Sequence, residues 1–591
     1  MPGSTAYPDT APRTKLEEYR ALKSALWSTR ATFDARWGDL AEYIQPWRTR
    51  FQPGDRNQGG SKNQKILDST TQFSARTLQS GLHAGLTSPA RPWLRMTTPD
   101  PNMAERPQVK TWLHTVTERM RAVFQQTNLY NILPIIYGDL GTFGTAAMAV
   151  LEDDRDLFRC YTYPIGSYAV ALDSRGRVGT FVVEYERTVR EVVEEFGFPS
   201  TLPETVRKGR EPDWSKFSLM VRRAWERKHY DQPVTVCWVV TRNYDANPEK
   251  FAPKYRPWTS CHFELDTSSG SDPNPNGFLR ESGFHEFPVM VPRWDLTGGD
   301  SYGTNCPGMM ALGDVKSLQI LQKRKAQAIE KSVNPPLIGP SFLKSQKVSA
   351  IPGGITYEDL PQGQTGLRPI YEVSLQGLQF LLGSEQQTQY RIQRAYFEDL
   401  FLMLATSDRQ LGADRPTARE IDERHEEKLL ALGPVLERTN DELLDPLVDR
   451  VYAILERAGL IPEPPEELQG VKLKVEYISV LHQAQKLVGV AANDRFLSST
   501  LSVAEALPDI VDRLDADEIA EDYADKTGVP PQFLRSRALA EQMRQQRNQM
   551  IAAQQQAEIA KSTGQAAQAA GSARMDEDTL LKRVVEGGVP A

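Results

Sequence analysis

MMALGDVKSLQILQKRKAQAIEKSV, residues 309–333, is the stretch on which the reading of this chain turns. Pro307 stands just before it and Asn334, Pro335 and Pro336 follow, so the run reads as one helix with a proline at its entrance and a stop at its exit. At about 100° per residue, Leu318, Leu321, Ala328 and Ile329 gather on one side. Lys316, Lys323, Gln327 and Lys331 fall within an arc of roughly 80° on the other side. One face is expected to be buried and one to be basic. The plain reading of the basic arc is a solvated helix face. The sharper one is a surface turned toward phosphates, which needs no base-reading side chains and suits contact with DNA regardless of sequence.

Downstream, residues 334–372 are dense in Pro and Gly, with short β-like pieces and nothing long enough for a helix. A second helix is expected over Ser374 to Leu404, followed by the polar loop TSDRQLGADRP at 406–416. A third begins after Pro416 with a capping box, Thr417 to Glu420, and continues to Gly459. It would be roughly 60 Å long, and Gly433 with Pro434 in its middle predicts a kink. The turn PEPPEEL at 462–468 leads into a strand, VKLKVEYIS, at 471–479. From Gln483 to Ala573 the pattern is mostly helical and ends in a Gln/Ala-rich stretch that can be a helix or disordered depending on partners.

Upstream, Leu16 to Ile44 carries apolar residues at helical spacing, as does Ser69 to Leu86, which stops at Pro89 and Pro92. A loop rich in Gly and amides, QPGDRNQGGSKN at 52–63, separates them, and another helix is expected over Val109 to Thr127. From Arg159 to Glu186 the text turns β-rich, with DSRGR at 173–177 as a hairpin turn. Val234 to Asn243 is a further strand, and more short strands are expected between Tyr255 and Pro292. The first three hundred residues therefore read as α+β, and the whole chain as α+β, mainly α.

With 591 residues, the chain is roughly four times the ~150 residues of an average domain. A hydrophobic share of 40% rules out wholesale disorder. Seventy basic against seventy-seven acidic residues give a net charge of −7, so no overall basic field holds nucleic acid and any such contact must be local. The four cysteines, Cys160, Cys237, Cys261 and Cys306, form no CxxC, and the seven histidines form no HExxH, so neither a disulfide framework nor a zinc site is expected. The N-terminus lacks a basic region followed by an apolar core, and the most apolar stretch, Leu129 to Leu151, is interrupted by Pro134 and several glycines. The expectation is a cytosolic protein without a membrane span.

Candidate chemistry is sparse. Gly138, Gly141 and Gly144 fit no phosphate-loop spacing and read as close helix packing or a turn. Asp153 and Asp154, with Glu152 and Asp156, read as a solvated turn and not a metal site. His262 with Glu264, and His285 with Glu286, lack a nucleophile and read as packing. No catalytic residue, metal or cofactor is assigned.

Four strings together resemble a known family: GLTSPARPWLRMTTPD at 85–100, VPRWDLTGGDSYGTNCPGMMALGDVKSLQ at 291–319, KSVNPPLIGP at 331–340, and the helix PTAREIDERHEEKLLALGPVLERTNDELLDPLVDRVYAILERAGLIP at 416–462. They are similar to the portal, or head-to-tail connector, proteins of short-tailed bacteriophages (podoviruses), and the likeness covers most of residues 15–480. The last hundred residues match no pattern of that family. The resemblance implies a homododecameric ring at one capsid vertex, acting as channel for packaging and ejection of double-stranded DNA and as platform for terminase and tail.

The family architecture would place the wing in residues 1–308, a first stem helix at 309–333, the clip at 334–372 and a second stem helix at 373–405. A tunnel loop would follow at 406–416, then the long kinked wing helix and a return strand at 417–480, and a helical crown or barrel with the C-terminal tail at 481–591. Lys316, Lys323 and Lys331 would line the DNA channel together with Arg409 and Gln410 of the tunnel loop. Lys344, Lys347, Tyr357 and Arg368 would serve docking at the clip, and Gly433 and Pro434 the helix kink. Implied partners are further copies of the chain, the major capsid protein, scaffolding protein, the terminase large subunit, a tail adaptor protein and double-stranded DNA without sequence specificity. No membrane, cofactor, metal or enzymatic step is implied, and the place is the virion vertex, with the host cytoplasm during assembly. The alternative is a scaffolding or structural assembly protein with no channel.

Overall fold

The computed structural model describes residues 14–199 (except 56, 58 and 105), 210–265, 277–333, 337–338, 368–369, 375–406, 432–479 (except 472) and 481. It further describes 496–500, 502–503, 514–515, 517–520, 523 and 537–572. Two compact units divide the chain, Met1–Gln485 and Lys486–Ala591.

The first unit opens with α1, Lys15–Tyr43, whose start is fixed by a capping box: the Thr14 hydroxyl accepts from the Glu17 amide while the Glu17 carboxylate accepts from the Thr14 amide. Next come α2 (Thr70–Leu86), β1 (Leu94–Thr97), α3 (Pro107–Gln126) and α4 (Leu129–Phe143). The last lies inside the run that reads as merely apolar in the sequence. Pro134 is tolerated within α4, and Gly144, left-handed at φ +78°, ends it. Two sheets follow. One has the order β3-β2-β9 (Leu157–Tyr163, Ala147–Asp153, Val289–Met290). The other is an antiparallel meander β4-β5-β6-β7-β8 (Tyr168–Leu172, Val178–Thr188, Pro233–Arg242, Trp258–Glu264, Arg280–Phe284).

The expected hairpin turn at 173–177 joins β4 to β5: the Asp173 carboxylate accepts from the amides of Arg175 and Arg177, and Gly176 takes φ +75°. Alternation along β6 then sorts the core. Cys237 and Val239 pack under Tyr19 of α1, while Val234 and Val236 meet α5 (Val189–Phe196) and α6 (Leu219–Glu226). Trp238 and Val240 join the main core. All four cysteines are buried free thiols, and burial pushes Cys160, Cys261 and Cys306 up to about 12.

Past the sheets, α7 spans Pro307–Val333, as the sequence predicts. The second expected helix is two: α8, Leu375–Ala395, and α9, Glu398–Thr406. Phe397 sits between them at φ +54°, a left-handed conformation that ends one helix and starts the next, while Tyr396 and Phe401 enter the core on either side. The single helix expected over 373–405 is thus corrected to a broken one. At the base of the intervening insert, β10 (Leu337–Ile338) pairs antiparallel with β11 (Arg368–Pro369).

The third expected helix is described from residue 432 onward, and its capping box Thr417 to Glu420 lies outside the described residues. Gly433 and Pro434 lie in regular helix. The stretch before residue 432, against which the expected kink would show, lies outside the described residues; further along, the helix carries a π-turn, Asn440–Leu444, leading into α10 (Asp445–Arg457). Its cause is Pro446, which has no amide to give and crowds the carbonyl four residues back, so the Asp445 amide donates to the Asn440 carbonyl, one residue further than in an α-helix. β12 (Lys474–Tyr477) returns to pair with β1, Leu94 opposite Tyr477. In the second unit α11 runs Arg537–Ser572. Among the described residues no helix is long and apolar enough to cross a membrane.

Candidate functional site

The antiparallel pair α7 and α8 has a buried root and an exposed end. At the root, Met309, Ala311, Val315 and Leu318 enter the main core. Toward the tip the apolar face expected from helical spacing is not covered: Leu321 and Ala328 are half-buried, and Ile329 is 47% exposed. On α8, Phe380 is 78% exposed. The tip of the pair therefore stands clear of the chain's own core. An apolar stripe on such an element belongs against another molecule.

The root is fixed by a polar junction that sequence reading does not find. Gln319, buried on α7, accepts from the amides of Leu67 and Asp68 at 2.6 and 2.8 Å, and its amide group donates to the Asp68 carbonyl at 3.0 Å. The Asp68 carboxylate in turn accepts from Gln322 and Gln389, each at 3.1 Å, and from the Thr70 amide at 2.8 Å at the start of α2. Buried Glu385 of α8 accepts from Gln322 at 2.6 Å and from Lys325 at 2.8 Å. One aspartate thus gathers α2, α7 and α8. The prior signal is slight: glutamines at 319 and 322 among the residues of α7 and at 389 among the many polar residues of α8.

The basic arc is modified by this geometry. Lys316 pairs with Asp39 of α1 at 2.7 Å and lies 5.5 Å from the Tyr43 ring, so its charge is spent on fixing α1. Lys323, Gln327 and Lys331 are exposed, as expected of a solvated arc. Arg324, also exposed, adds to it: it lies about 20° from Lys331 around the helix, a neighbour the sequence reading passed over. Of the other anticipated contact residues, Arg409, Gln410, Lys344, Lys347 and Tyr357 lie outside the described residues, and Arg368 is a residue of β11.

The remaining candidates resolve as packing. A Cβ on Gly138 would stand 2.9 Å from Gln79, and one on Gly141 would stand 2.5 Å from Leu78, so these glycines let α4 approach α2. The Asp153 carboxylate accepts from the amides of Arg155 and Asp156, a self-capped turn, and Glu152 pairs with Arg457 at 2.7 Å. His262 lies stacked on Trp238, rings 5.6 Å apart, and burial with the Arg280 charge holds it down to about 3. Glu264 accepts from the Ser218 amide at 3.2 Å, and burial pushes its carboxyl up. Glu286 is bound by Arg450 and Arg457, at 3.1 and 2.7 Å. Among the described residues no group of His, Cys, Asp or Glu is placed to hold a metal ion.

A family described as "Bacteriophage head to tail connecting protein" matches residues 16–534. The chain belongs to the bacteriophage head-to-tail connecting proteins. The "Portal protein" of Salmonella phage epsilon15 is 42% identical over 553 residues, covering 93% of this chain and 94% of that protein. The "Probable portal protein" of Bordetella phage BPP-1 is 39% identical over 555 residues, covering 94% and 95%. A chain in the virion of a native gene transfer agent particle covers 78% of this connector and 90% of its own length, at 10% identity and a TM-score of 0.31, a weak likeness. The helix pair, its insert and the π-turned helix all fall inside the family match, while α11 of the connector lies beyond it.

Proposed function

We propose that this connector is a phage portal: a dodecameric ring at one capsid vertex through which double-stranded DNA is packaged and ejected. The observation that supports it most directly is the projecting pair α7 and α8, rooted by Asp68 and exposing both an apolar stripe and a basic arc. In a member of the connector family, the apolar stripe is suited to neighbouring copies and the arc to the phosphates of a duplex. In this reading α7 and α8 are the stem, 1–308 the wing with its return through 417–480, 334–372 the clip, 406–416 the tunnel loop and 481–591 the crown or barrel. The clip, closed at its base by β10 and β11, meets the terminase large subunit and later a tail adaptor, with Lys344, Lys347, Tyr357 and Arg368 as docking residues. The wing faces the major capsid and scaffolding proteins. Assembly takes place in the host cytoplasm, and the ring itself performs no catalytic step.

Within the channel, Lys323, Arg324 and Lys331 supply weak, sequence-independent contact, with Arg409 and Gln410 at the narrowest loop. A net charge of −7 on each subunit, repeated around a ring, keeps DNA from adhering. The test is top-view single-particle electron microscopy of the purified chain. A cyclic ring with a bore wide enough for a duplex is the expected result. A closed oligomer or filament without a channel would instead point to a scaffolding protein.

A further inference from the structure

The loop joining β6 to β7, residues 243–257, is fastened at its neck. The buried Asn243 side chain donates to the carbonyls of Lys254 and Arg256 at 2.9 and 2.7 Å, and its Oδ1 accepts from the Asp245 amide at 3.1 Å. Further out, the Asn247 amide donates to the Tyr255 carbonyl at 3.0 Å. The loop held in this way presents Tyr244 at 92% and Phe251 at 99% exposure. Single exposed apolar residues are ordinary, but two aromatic rings set in water on one pinned loop forgo a large burial unless another surface receives them. Lys250 and Lys254 flank Phe251, and both ammonium groups lie over the Tyr255 ring, at 4.5 and 5.2 Å.

A receiving surface exists on the same unit. Between α3 and the turn after α10 runs a shallow groove of about 550 Å³, whose lining includes Pro107, Gln108, Thr111, Trp112, Pro462 and Pro465. Its walls are tied together. The Trp112 indole N–H donates to the Pro462 carbonyl at 3.0 Å, Arg119 donates to the Leu460 carbonyl, and Arg106 pairs with Glu467 at 2.9 Å. The groove is therefore preformed, and proline rings beside an indole give an aromatic side chain an apolar seat. On the turn that forms one wall, Glu463 and Glu466 are exposed. The loop tip thus offers an aromatic ring between ammonium groups, and the groove an apolar floor beside carboxylates. Phe251 stands in open solvent, so it does not fill the groove of its own chain.

We propose that the β6–β7 loop of each copy docks in the Trp112 groove of the next copy, with Phe251 seated on Trp112, Pro462 and Pro465, and with Lys250 and Lys254 facing Glu463 and Glu466. Knob and groove are different surfaces of one chain, so the contact is heterologous and passes from copy to copy until it closes. A second copy is the occupant because both halves of the match, aromatic knob with cations and apolar seat with anions, occur on this chain. The inference rests on the ring reading above and assigns one contact between neighbouring copies to named residues. The charges fix its register, and raised salt weakens it.

The chain's four cysteines are buried thiols, so introduced ones report alone. Ala252 and Gln108 are exposed positions beside the knob and in the groove, and cysteines there leave Phe251 and Trp112 in place. The experiment is mild oxidation of the full-length protein bearing Ala252→Cys, Gln108→Cys or both, followed by non-reducing electrophoresis, with the same samples viewed by electron microscopy. A ladder of multimers well beyond a dimer, from the double variant alone, is the expected result. Adding Lys250→Glu and Lys254→Glu should weaken the ladder about tenfold, and adding Glu463→Lys and Glu466→Lys to that chain should restore it. Failure to restore it would overturn the charge pairing. Dimers from either single variant would overturn the heterologous contact. Intact rings without a ladder would overturn the docking while leaving the ring reading in place, and a ladder without closed rings would do the reverse. Absence of rings and of ladder would overturn both.

Discussion

Asp68 carries more of the architecture than any lysine of the basic arc. Its backbone is read by Gln319 and its carboxylate by Gln322 and Gln389, so a loop residue sets where two helices leave the core. Replacing Gln319 by Leu takes the acceptor from the Leu67 and Asp68 amides in this part-buried junction, a cost of about 1 to 3 kcal/mol. Hydrogen exchange should show it as lost protection in α7 around residues 319–325, with the five-stranded sheet unaffected. A second residue-scale effect comes from His262. Burial holds its ring down to about 3 when folded, whereas an unfolded chain takes up that proton near the ordinary value of 6.5. The neutral ring's contribution is therefore whole above about pH 6.5 and is lost as pH falls from there toward 3. Thermal melts between pH 7 and 4 should fall less steeply for His262→Phe than for the natural chain. An unchanged slope would mean that His262 takes up its proton in the folded state as readily as in the unfolded one.

At the scale of elements, the helices came through wherever one apolar stripe and a stop signal coincided. Thus α1, α2, α3 and α7 are all placed by periodicity and proline, and β4 to β6 by alternation around DSRGR. The misses have a common cause, in that each is decided by a tertiary partner. The break at Phe397 is invisible because the flanking residues keep helical spacing; it shows only in the left-handed φ of Phe397, between buried Tyr396 and Phe401. The π-turn is not legible because its causes are Pro446, which needs relief, and Glu442, whose partner is distant in sequence. Its carboxylate holds the buried Arg293 guanidinium and the Arg293 amide at 2.9 Å, while that guanidinium also donates to the carbonyls of Gly176 and Asp300. Arg293→Ala strands this carboxylate and should cost about 3 to 5 kcal/mol, and Arg293→Lys, without the planar fork, should recover little of it. Limited proteolysis around residues 293–304 reads the difference. α4 was missed for the opposite reason: Gly138 and Gly141 look like breakers until α2 is laid against them.

For the whole molecule, the legible part was the order of segments, and the illegible part was which charges remain available once the chain has folded. Lys316 and Lys325 pair with Asp39 and Glu385, whereas the sequence shows the lysines alone. Charge reversal of Lys323 and Lys331 to Glu should therefore impair DNA retention or passage while rings still assemble. Packaging yields equal to those of the natural protein would remove these residues from the channel. A contact with phosphate alone, as proposed, should weaken as salt rises in the natural protein and not in the variant.

The short ladder between Leu337–Ile338 and Arg368–Pro369 has a consequence for engineering. It returns the chain to its point of departure, so α7 and α8 experience the same end-to-end separation whatever lies between. Lengthening a segment whose ends are already clamped adds little closure entropy, about 0.6 kcal/mol per doubling. A reporter peptide spliced between Ile338 and Arg368 should therefore leave the helix pair undisturbed.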